Sequence, residues 1–329
     1  MSAAWRGFVV LLAGLALAAL LNAQGLRKAA DSRPSGWERS AELAVARPLA
    51  RAAAWTRLDR PRHELQRAVG RADVDAIDTS VDIPVVPRKK PTLPTPTKPA
   101  PPPKPKPKPV FSRRRPLRIW VAGDSLAEVP GQALERVSAE RSSLRILPLE
   151  SRISTGLGRP DLYNWFKRIP TATRQLHPKV VVLSFGADDA HNYMSGVPKG
   201  KTIGKLGSPT WDAEYVRRAA GVTRELQAKG IYVVWLGLPI PRGRAFFFSF
   251  RIVNRLIKHV VGITKPGVAY VDTWHLLATP KGKYADYLRE HGRLVQMRAS
   301  DGIHYTQAAG DLIAQEILAK LGRVYTLKP

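Results

Sequence analysis

The stretch Ile119-Trp120-Val121-Ala122-Gly123-Asp124-Ser125-Leu126 decides the fold of the chain. Four apolar residues in a row are typical of a strand buried on both faces. Gly123 permits a tight bend after that strand, and a helix is predicted over Gly131–Glu140. A serine between a strand end and a helix start is a common way to present a nucleophile, because backbone N–H groups there favour negative charge. Asp-Ser is also ordinary turn and N-cap chemistry, so this stretch alone does not establish catalysis.

The region from Leu117 to Pro329 alternates strand-like and helix-like segments. This alternation predicts an α/β fold: a three-layer sandwich with a central parallel five-stranded sheet and an active site at the carboxyl ends of the strands. The predicted strands are Arg118–Ala122, Arg145–Leu149, Val180–Ser184, Ile231–Leu236 and Ala269–Val271. The predicted helices are Gly131–Glu140, Asp161–Leu176, Trp211–Lys229, Ala245–Val261 and Thr306–Leu321.

The composition of the 329 residues is strongly basic, with 53 Lys and Arg against 26 Asp and Glu and a formal net charge of +27. The charge is spread evenly, at +13 in residues 1–116 and +14 in the rest. It suggests attraction to polyanions such as envelope polymers or lipid headgroups. No specific nucleic-acid partner is predicted, because no nucleic-acid motif is present. The lack of cysteine excludes disulfides, thiolate catalysis and Cys-ligated metals.

The N-terminus, residues 1–25, is predicted to be a signal peptide or a signal anchor. An uncharged apolar run extends from Phe8 to Leu21, which suits either segment. Leu21-Asn22-Ala23 is a poor cleavage site, so an uncleaved anchor is favoured, although Arg27 and Lys28 slightly oppose export. The predicted location is the cell inner membrane, single-pass, with the catalytic domain in the periplasm or outside the cell.

Two segments separate this terminus from the α/β region. Residues 26–83 are predicted to be a helical stalk, with helices over Gly36–Thr56 and Pro61–Val69, and could bind an envelope protein partner. Residues 84–116 are a Pro/Lys-rich linker that should adopt extended polyproline II. At about 3.1 Å per residue, Pro91–Pro109 could span roughly 60 Å and hold a catalytic domain away from a membrane. An ordinary flexible linker, or a ligand of a Pro-recognising domain, remains an alternative.

Small polar clusters follow the strands of the predicted sheet, and another precedes the last helix. A doubly wound sheet would bring their loops to one edge. The clusters are Gly123–Ser125, Ser151–Leu157, Gly186–His191 and Asp301–His304.

The order and spacing of these clusters resemble the SGNH (GDSL-type) hydrolase family over about Leu117–Leu321. The family's four blocks are matched by Gly123-Asp124-Ser125-Leu126, Gly156, Gly186-Ala187-Asp188-Asp189 and Asp301-Gly302-Ile303-His304. The chain further resembles a bacterial, envelope-associated branch of unknown function. The resemblance implies a flavodoxin-like fold and an esterase, lipase, carbohydrate O-acetyl esterase or acyl-transfer enzyme. It implies neither a metal nor an organic cofactor.

The resemblance also assigns roles to single residues. It makes Ser125 the nucleophile, His304 its general base and Asp301 the carboxylate that orients the imidazole. The N–H groups of Ser125 and Gly156 would be oxyanion-hole donors. Further substrate contacts are predicted for four residues of the same clusters: Asp124, Thr155, Asp189 and His191.

One position departs from the family pattern. Asp188 stands where the family has an asparagine, whose side-chain N–H donates to the oxyanion. An ionised carboxylate cannot donate, and losing one such donor costs on the order of 10²–10³ in rate. Asp188 could be protonated by burial, another group could replace it, or the domain could have lost activity.

The sequence as a whole predicts an envelope-tethered serine esterase or acyltransferase. Its substrate would be an O-acyl, chiefly O-acetyl, group on a polysaccharide or on peptidoglycan. One alternative is a catalytically inactive glycan-binding or scaffold protein. Another is a lipase or thioesterase that acts on longer acyl chains.

Overall fold

The computed structural model describes residues 2–31, 37–68, 79–83, 107–198 and 202–328. Residues 84–106 of the predicted Pro/Lys-rich linker, from its start onward, lie outside the described residues. The N-terminal helices are α1 (Ala3–Leu21), α2 (Ala23–Asp31), α3 (Trp37–Thr56) and α4 (Arg60–Ala68). Both α1 and α2 contact α3. Across the described ranges, α1 is the one helix that is long and apolar enough to cross a membrane.

The elements of the α/β domain fall close to their predicted positions. Its strands are β1 (Val110–Phe111), β2 (Leu117–Gly123), β3 (Leu144–Ile146), β4 (Glu150–Ser151), β5 (Val180–Ser184), β6 (Tyr232–Leu236), β7 (Val268–Val271), β8 (Tyr287–Glu290), β9 (Arg293–Gln296) and β10 (Thr326–Leu327). Its helices are α5 (Glu128–Glu140), α6 (Trp165–Leu176), α7 (Pro209–Ala228), α8 (Arg244–Thr264), α9 (Thr273–Leu276) and α10 (Gln307–Gly322).

The central sheet has the strand order β3-β2-β5-β6-β7, and all neighbouring strands are parallel. The short strand β4 also pairs with β2. The predicted five-stranded parallel sheet is therefore confirmed. The chain moves outward from β2 to β3 and then returns to the other side of β2 at β5. This reversal creates a crevice between the carboxyl ends of β2 and β5, where ligands bind in folds of this kind.

Helices cover the sheet in two layers, which confirms the three-layer sandwich. Helix α7 contacts both α6 and α8, whereas α5 packs against α10. The apolar strands form the core between the two layers. Trp120 in β2, Trp235 in β6 and Phe185, directly after β5, are completely buried, and Phe185 and Trp235 form an edge-to-face ring pair.

Two boundaries differ from the prediction for local reasons. The second strand stops at Ile146 and resumes as β4, because Pro148 between them has no N–H to donate. Helix α6 begins at Trp165 rather than at Asp161. Asn164 ends the preceding loop as an N-cap, and its side-chain oxygen accepts a hydrogen bond from the Lys167 N–H at 3.2 Å.

Two strand pairs were not predicted. Strands β8 and β9 form an antiparallel hairpin whose turn, His291-Gly292, has positive φ at both residues, as type I′ turns require. Strands β1 and β10 pair in parallel, which joins the start of the domain to its last residues. Residues 107–111 therefore belong to the folded domain, N-terminal to the predicted boundary at 117.

Candidate active site

The strand end at β2 presents Ser125 at the crevice. A Cβ atom on Gly123 would lie 1.9 Å from the Ser184 carbonyl oxygen, so only glycine lets β2 pass this close to β5. Ser125 then opens a short 3₁₀ helix, Ser125–Ala127, whose N-cap is Asp124. The tight turn leaves the Ser125 side chain half-buried, facing the carboxyl edge of the sheet.

The loop between β9 and α10 brings the imidazole to this serine. His304 Nε2 lies 2.8 Å from Ser125 Oγ, and His304 Nδ1 lies 2.5 Å from Asp301 Oδ2. Ser125 and His304 are 179 positions apart in the sequence. The structure thus brings together the serine, histidine and aspartate that the sequence singled out.

Hydrogen bonds hold Asp301 in its ionised form. Partial burial acts to raise the pKa of Asp301. The N–H groups of Ile303 and His304 donate to Oδ1 at 2.8 and 3.0 Å, and together with the His304 ring they lower the pKa to about 2. A carboxylate that stays charged can orient the ring and stabilise an imidazolium next to it.

Two backbone N–H groups are available for an oxyanion. Within the described parts of the chain, neither the Ser125 N–H nor the Gly156 N–H is used in a hydrogen bond. Gly156 lies against the Asp189 carboxylate, where an added Cβ would come within 2.1 Å of Oδ1. A side chain at residue 156 would therefore displace the loop that carries the second donor.

Two aspartates predicted to contact substrate are instead buried and accept hydrogen bonds from the backbone of the surrounding loops. Asp124 is fully buried, and it accepts hydrogen bonds from the N–H groups of Leu126, Gly186 and Ala187 at 3.0 to 3.2 Å. This carboxylate ties the serine turn to the loop after β5. Desolvation raises the pKa of Asp124 well above its usual value. Its side chain has no exposed surface to offer a substrate, so the predicted contact is wrong.

Asp189 supports the oxyanion-hole loop in the same way. It is 1% exposed and accepts hydrogen bonds from Leu157 N at 3.0 Å and Gly158 N at 2.6 Å. The Tyr215 hydroxyl also donates to it, at 2.9 Å. Burial raises the pKa of Asp189, and these donors oppose the rise. The prediction of a substrate contact is again corrected to a role in holding Gly156 and its neighbours in place.

The other two predicted substrate contacts differ from each other. Thr155 is buried, donates to the Arg152 carbonyl at 2.6 Å and accepts from the Trp165 indole at 3.0 Å, so its hydroxyl is not free for a substrate. His191 is exposed. It is close enough to Asp188 for its charge to act on that carboxyl, so it remains a candidate at the rim of the site.

Asp188 lies at the mouth of the crevice and is half-buried. Burial and the neighbouring Asp189 carboxylate raise the pKa of Asp188. His191, His304 and the Ser154 backbone N–H oppose the rise. A raised pKa favours the protonated form, which can donate a hydrogen bond as the family's asparagine does.

Sequence reasoning missed the residue that supports the loop carrying His304. Arg242, in the connection after β6, donates from Nη1 to the Ser300 carbonyl at 2.9 Å and from Nη2 to Asp286 Oδ1 at 2.6 Å. Its backbone N–H donates to the Gly302 carbonyl at 3.0 Å. No local motif marks Arg242, because its role depends on contacts with residues 44 to 60 positions away.

The described residues contain no group of three or more His, Asp or Glu side chains arranged to hold a metal ion. The chemistry that this arrangement supports needs only the serine, the imidazole, the carboxylate and the backbone donors.

The parallel sheet, the serine after β2 and the Asp-x-x-His loop before α10 together define a fold of the SGNH (GDSL-type) hydrolase class. The chain belongs to the family described as Protein of unknown function (DUF459), whose profile matches residues 118–320. No curated protein matches the chain in sequence.

Solved structures with similar folds include three esterase-type proteins. A GDSL-like lipase from Bacteroides thetaiotaomicron is 14% identical, with 63% of this chain and 88% of that chain covered and a TM-score of 0.43. A member of the lipolytic G-D-S-L family from Veillonella parvula is 12% identical, with 63% and 98% covered and a TM-score of 0.43. An acetylxylan esterase from Geobacillus stearothermophilus is 12% identical, with 62% and 94% covered and a TM-score of 0.42. At these identities the similarity concerns the fold alone.

Proposed function

We propose that the protein is a serine esterase or acyltransferase that acts on O-acyl groups, chiefly O-acetyl groups, of an envelope glycan. The observation that carries the proposal is the continuous chain of contacts from Ser125 Oγ through the His304 ring to the Asp301 carboxylate. The unused N–H groups of Ser125 and Gly156 add donors for a negatively charged oxygen.

This geometry supports a two-step acyl transfer. Ser125 Oγ attacks the ester carbonyl carbon while His304 Nε2 accepts the hydroxyl proton, and the carbonyl oxygen becomes an oxyanion facing the two N–H groups. The intermediate collapses to an acyl-serine as the ester C–O bond breaks and His304 gives its proton to the departing sugar oxygen, which leaves as a hydroxyl. Water then releases the acid and restores Ser125, or a second hydroxyl takes the acyl group as a new ester.

The N-terminal helix supports a location at the envelope. Helix α1 has the length and composition of a membrane span, and none of its 18-residue apolar window is buried in the structure. An anchored enzyme with this charge would act on a polymer of the envelope rather than on a freely diffusing metabolite.

A groove beside α8 supports a polymeric, anionic substrate through one cation, Arg251, because its other two cations, Arg255 and Lys258, are paired with Asp212 and Asp272. The groove, about 570 Å³, runs along α8 and is lined by Arg251, Arg255, Lys258 and Trp274, among others. Helix α8 carries no carboxylate. Arg251 contacts no acidic side chain of the described residues and instead lies over the Phe247 ring at 5.7 Å. The strand β7, which precedes Trp274, lies three strands from β2, or about 14 Å at the usual strand spacing.

The direct test is the variant Ser125→Ala assayed with an aryl acetate. We expect release of acetate to be abolished, because no other group in the site can form the acyl intermediate. A matched variant, Ser138→Ala on the exposed side of α5, should retain full activity. Unchanged turnover in Ser125→Ala would refute the serine mechanism. A series of esters of increasing chain length then separates deacetylation from lipase or thioesterase activity.

Asp188 favours a second candidate function, a catalytically inactive glycan-binding or scaffold protein. If the carboxyl is ionised at working pH, it repels the oxyanion instead of stabilising it. Treatment of the folded protein with a fluorophosphonate distinguishes the two functions. Labelling of Ser125 supports the esterase, and absence of labelling in a sample with a native melting transition supports the scaffold.

A further inference from the structure

A short segment between the helical region and the Pro/Lys-rich linker packs on the α/β domain. This segment, Thr79–Ile83, is called the clamp here. The Ser80 carbonyl accepts a hydrogen bond from Asn164 Nδ2 at 2.9 Å. Val81 and Ile83 pack against the main hydrophobic core. The clamp therefore belongs to the domain structurally, although it precedes the linker in sequence.

Two glycines of the domain make room for the clamp. A Cβ atom on Gly196 would lie 2.2 Å from the Thr79 carbonyl oxygen and 2.7 Å from Val81 Cγ2. A Cβ atom on Gly221, in α7, would lie 2.0 Å from Ile83 Cγ2. Any larger residue at either position would push the clamp away, so this surface is shaped to the segment that covers it.

The clamp has a defined direction across the domain. Its Thr79 end meets Gly196, next to Ser195, whose N–H donates to the Gly158 carbonyl in the oxyanion-hole loop at 3.0 Å. Its Ile83 end lies over Gly221, more than half-way along α7, and that helix runs from the carboxyl edge of the sheet to the opposite edge. The chain therefore joins the domain beside the active-site edge.

The described residues on both sides of the Pro/Lys-rich segment are attached to the same domain. The segment begins after Ile83, and it ends where the Pro109 carbonyl accepts a hydrogen bond from the Thr326 N–H at 2.9 Å and β1 pairs with β10. A segment whose two ends are attached to one domain cannot set the distance between that domain and the N-terminal helices. That distance depends on residues 69–78, between the end of α4 and the clamp.

We infer that the clamp holds the active-site edge of the domain towards the N-terminal helices, so that the enzyme works on the membrane-proximal part of an acylated glycan. Ten residues reach at most about 35 Å, whereas the Pro/Lys-rich segment as a spacer would add roughly 60 Å. The choice of substrate rests on the proposed function and on α1 as an anchor. The placement of the domain does not depend on catalysis.

A disulfide tests the clamp in the full-length, membrane-bound protein, because the natural chain has no cysteine. Ile83→Cys removes the Cγ2 and Cδ1 atoms that a side chain at residue 221 would meet, and a Cβ atom there would lie 3.1 Å from the Cβ of residue 83. A small outward shift gives the Cβ separation of about 3.5–4.5 Å that a disulfide needs. We expect the pair Ile83→Cys and Gly221→Cys to cross-link. After cleavage at a protease site inserted into residues 84–106, its two fragments should stay joined until reduction. The control pair is Ile83→Cys with Gly262→Cys on α8, where a Cβ meets nothing within 4 Å. Equal cross-linking in both pairs, or none in the first, overturns the clamp.

Energy transfer measures the distance of the domain from the membrane and does not depend on enzymatic activity. A single donor dye is attached to Ile153→Cys, a 73% exposed position beside the oxyanion-hole loop. Energy transfer from it to acceptor-labelled lipids in vesicles measures its distance from the membrane. Deletion of Pro91–Pro103 would shorten a polyproline spacer by about 40 Å. We expect that deletion to leave the transfer unchanged, and a 20-residue insertion between Asp73 and Val74 to lower it. Increased transfer on deletion would overturn the inference.

Undocking the clamp provides the matched control for this measurement. With Val81→Asp and Ile83→Asp together, the Pro/Lys-rich segment becomes the link to the domain, so the same deletion should then raise the transfer. For catalysis, we expect the insertion at residue 73 to lower acetate release from a vesicle-anchored acetylated glycan and to leave a soluble aryl acetate unaffected. If the energy-transfer results agree with the inference but no acetate is released, the proposed function is rejected and the placement of the domain stands.

Discussion

At the scale of single residues, the proposed mechanism makes the carboxyl of Asp188 decide how well the site can stabilise an oxyanion. A protonated Asp188 donates as an asparagine would, whereas the ionised form repels. Because burial and Asp189 raise the pKa of Asp188, the donor persists to higher pH than for an ordinary aspartate and is lost as pH rises through that value. His304 must be neutral to act as the base, which high pH favours, whereas low pH favours the protonated Asp188. The two requirements therefore oppose each other as pH changes.

The variant Asp188→Asn removes this conflict. We expect the ratio of its kcat/KM to that of the wild type to increase with pH, by up to 10²–10³ where the wild-type carboxyl is fully ionised. Profiles of kcat/KM against pH with an aryl acetate measure the ratio. The variant Asp188→Ala, which removes the charge without supplying a donor, should gain less. A ratio that does not change with pH would show that Asp188 does not act on the oxyanion.

Gly156 combines a steric and a chemical requirement in one residue. Replacement by alanine would place Cβ 2.1 Å from Asp189 Oδ1, so the loop must shift and carry its N–H away from the oxyanion. We expect kcat for Gly156→Ala to fall by about 10²–10³.

A second glycine provides the comparison for Gly156→Ala. Gly262→Ala on α8 meets nothing within 4 Å, so its activity should not change, and its melting temperature should rise slightly because alanine favours a helix. Steady-state kinetics and thermal melts of both variants measure these effects. A fully active Gly156→Ala would remove this N–H from the mechanism.

At the scale of elements, the loop between β9 and α10 depends on its contacts with the connection after β6. Arg242 donates to Ser300, to Asp286 and, through its backbone, to Gly302, and these contacts fix the loop that carries His304. We expect Arg242→Ala to lower kcat about tenfold with little change in KM, because it loosens the base and not the substrate contacts.

The rate of fluorophosphonate labelling provides a direct measure of this effect, since it reports how well His304 activates Ser125. The neighbouring exposed arginine in α8, Arg244, contributes no contact to the loop within the described residues, so Arg244→Ala should label at the wild-type rate. Equal labelling rates in Arg242→Ala and the wild type would show that the loop keeps its geometry without the guanidinium.

A charge substitution on helix α8 should change the hydrolysis of polymeric esters but not of small ones. Reversal of the charge at Arg251, which no carboxylate balances among the described residues, weakens attraction to an anionic glycan and does not reach the Ser125 site. We expect Arg251→Glu to raise KM severalfold for an anionic acetylated polymer at low salt. The effect should shrink as salt screens the charge. An equal loss on an aryl acetate would mean that the substitution disturbs the domain instead.

The elements of the sheet were predictable because their signals are local. Val180–Ser184 is an unbroken apolar run, and its predicted bounds match β5. The hairpin of β8 and β9 was missed because its strands are largely exposed and do not alternate cleanly, although His291-Gly292 is a turn signal. Strand pairs such as β1 with β10 join residues more than 200 positions apart, and no short-range sequence pattern predicts them.

At the scale of the whole molecule, motif order predicted which residues meet, and the fold determined what each of them does. Ser125 and His304 could be matched because each motif has its own spacing. Asp124 and Asp189 lie in the same motifs, but their burial depends on how the loops of two strands close over them. The clamp was assigned to the stalk because only its contacts with Gly196 and Gly221 reveal that it belongs to the domain.

This assignment of the clamp has a consequence for stability. Val81 and Ile83 are partly buried against the core, and full burial of such a side chain contributes about 1.5–3 kcal/mol. A chain that begins at Lys108 should therefore be about 2–3 kcal/mol less stable than one that begins at Ala76. Its melting temperature should fall by roughly 5–10 °C for a domain of this size. Calorimetry of the two chains measures the difference.

Substitutions in the longer chain separate the clamp from the other residues that the shorter chain lacks. Val81→Asp with Ile83→Asp should reproduce most of the loss, because two charges cannot replace the apolar contacts. The exposed Asp82, changed to Ser, should leave the melting temperature within 1–2 °C of the starting chain, a shift on the order of that for other surface substitutions. If the two chains have the same melting temperature, the clamp contributes nothing to the stability of the fold. The Pro/Lys-rich segment would then again be free to act as the spacer between domain and membrane.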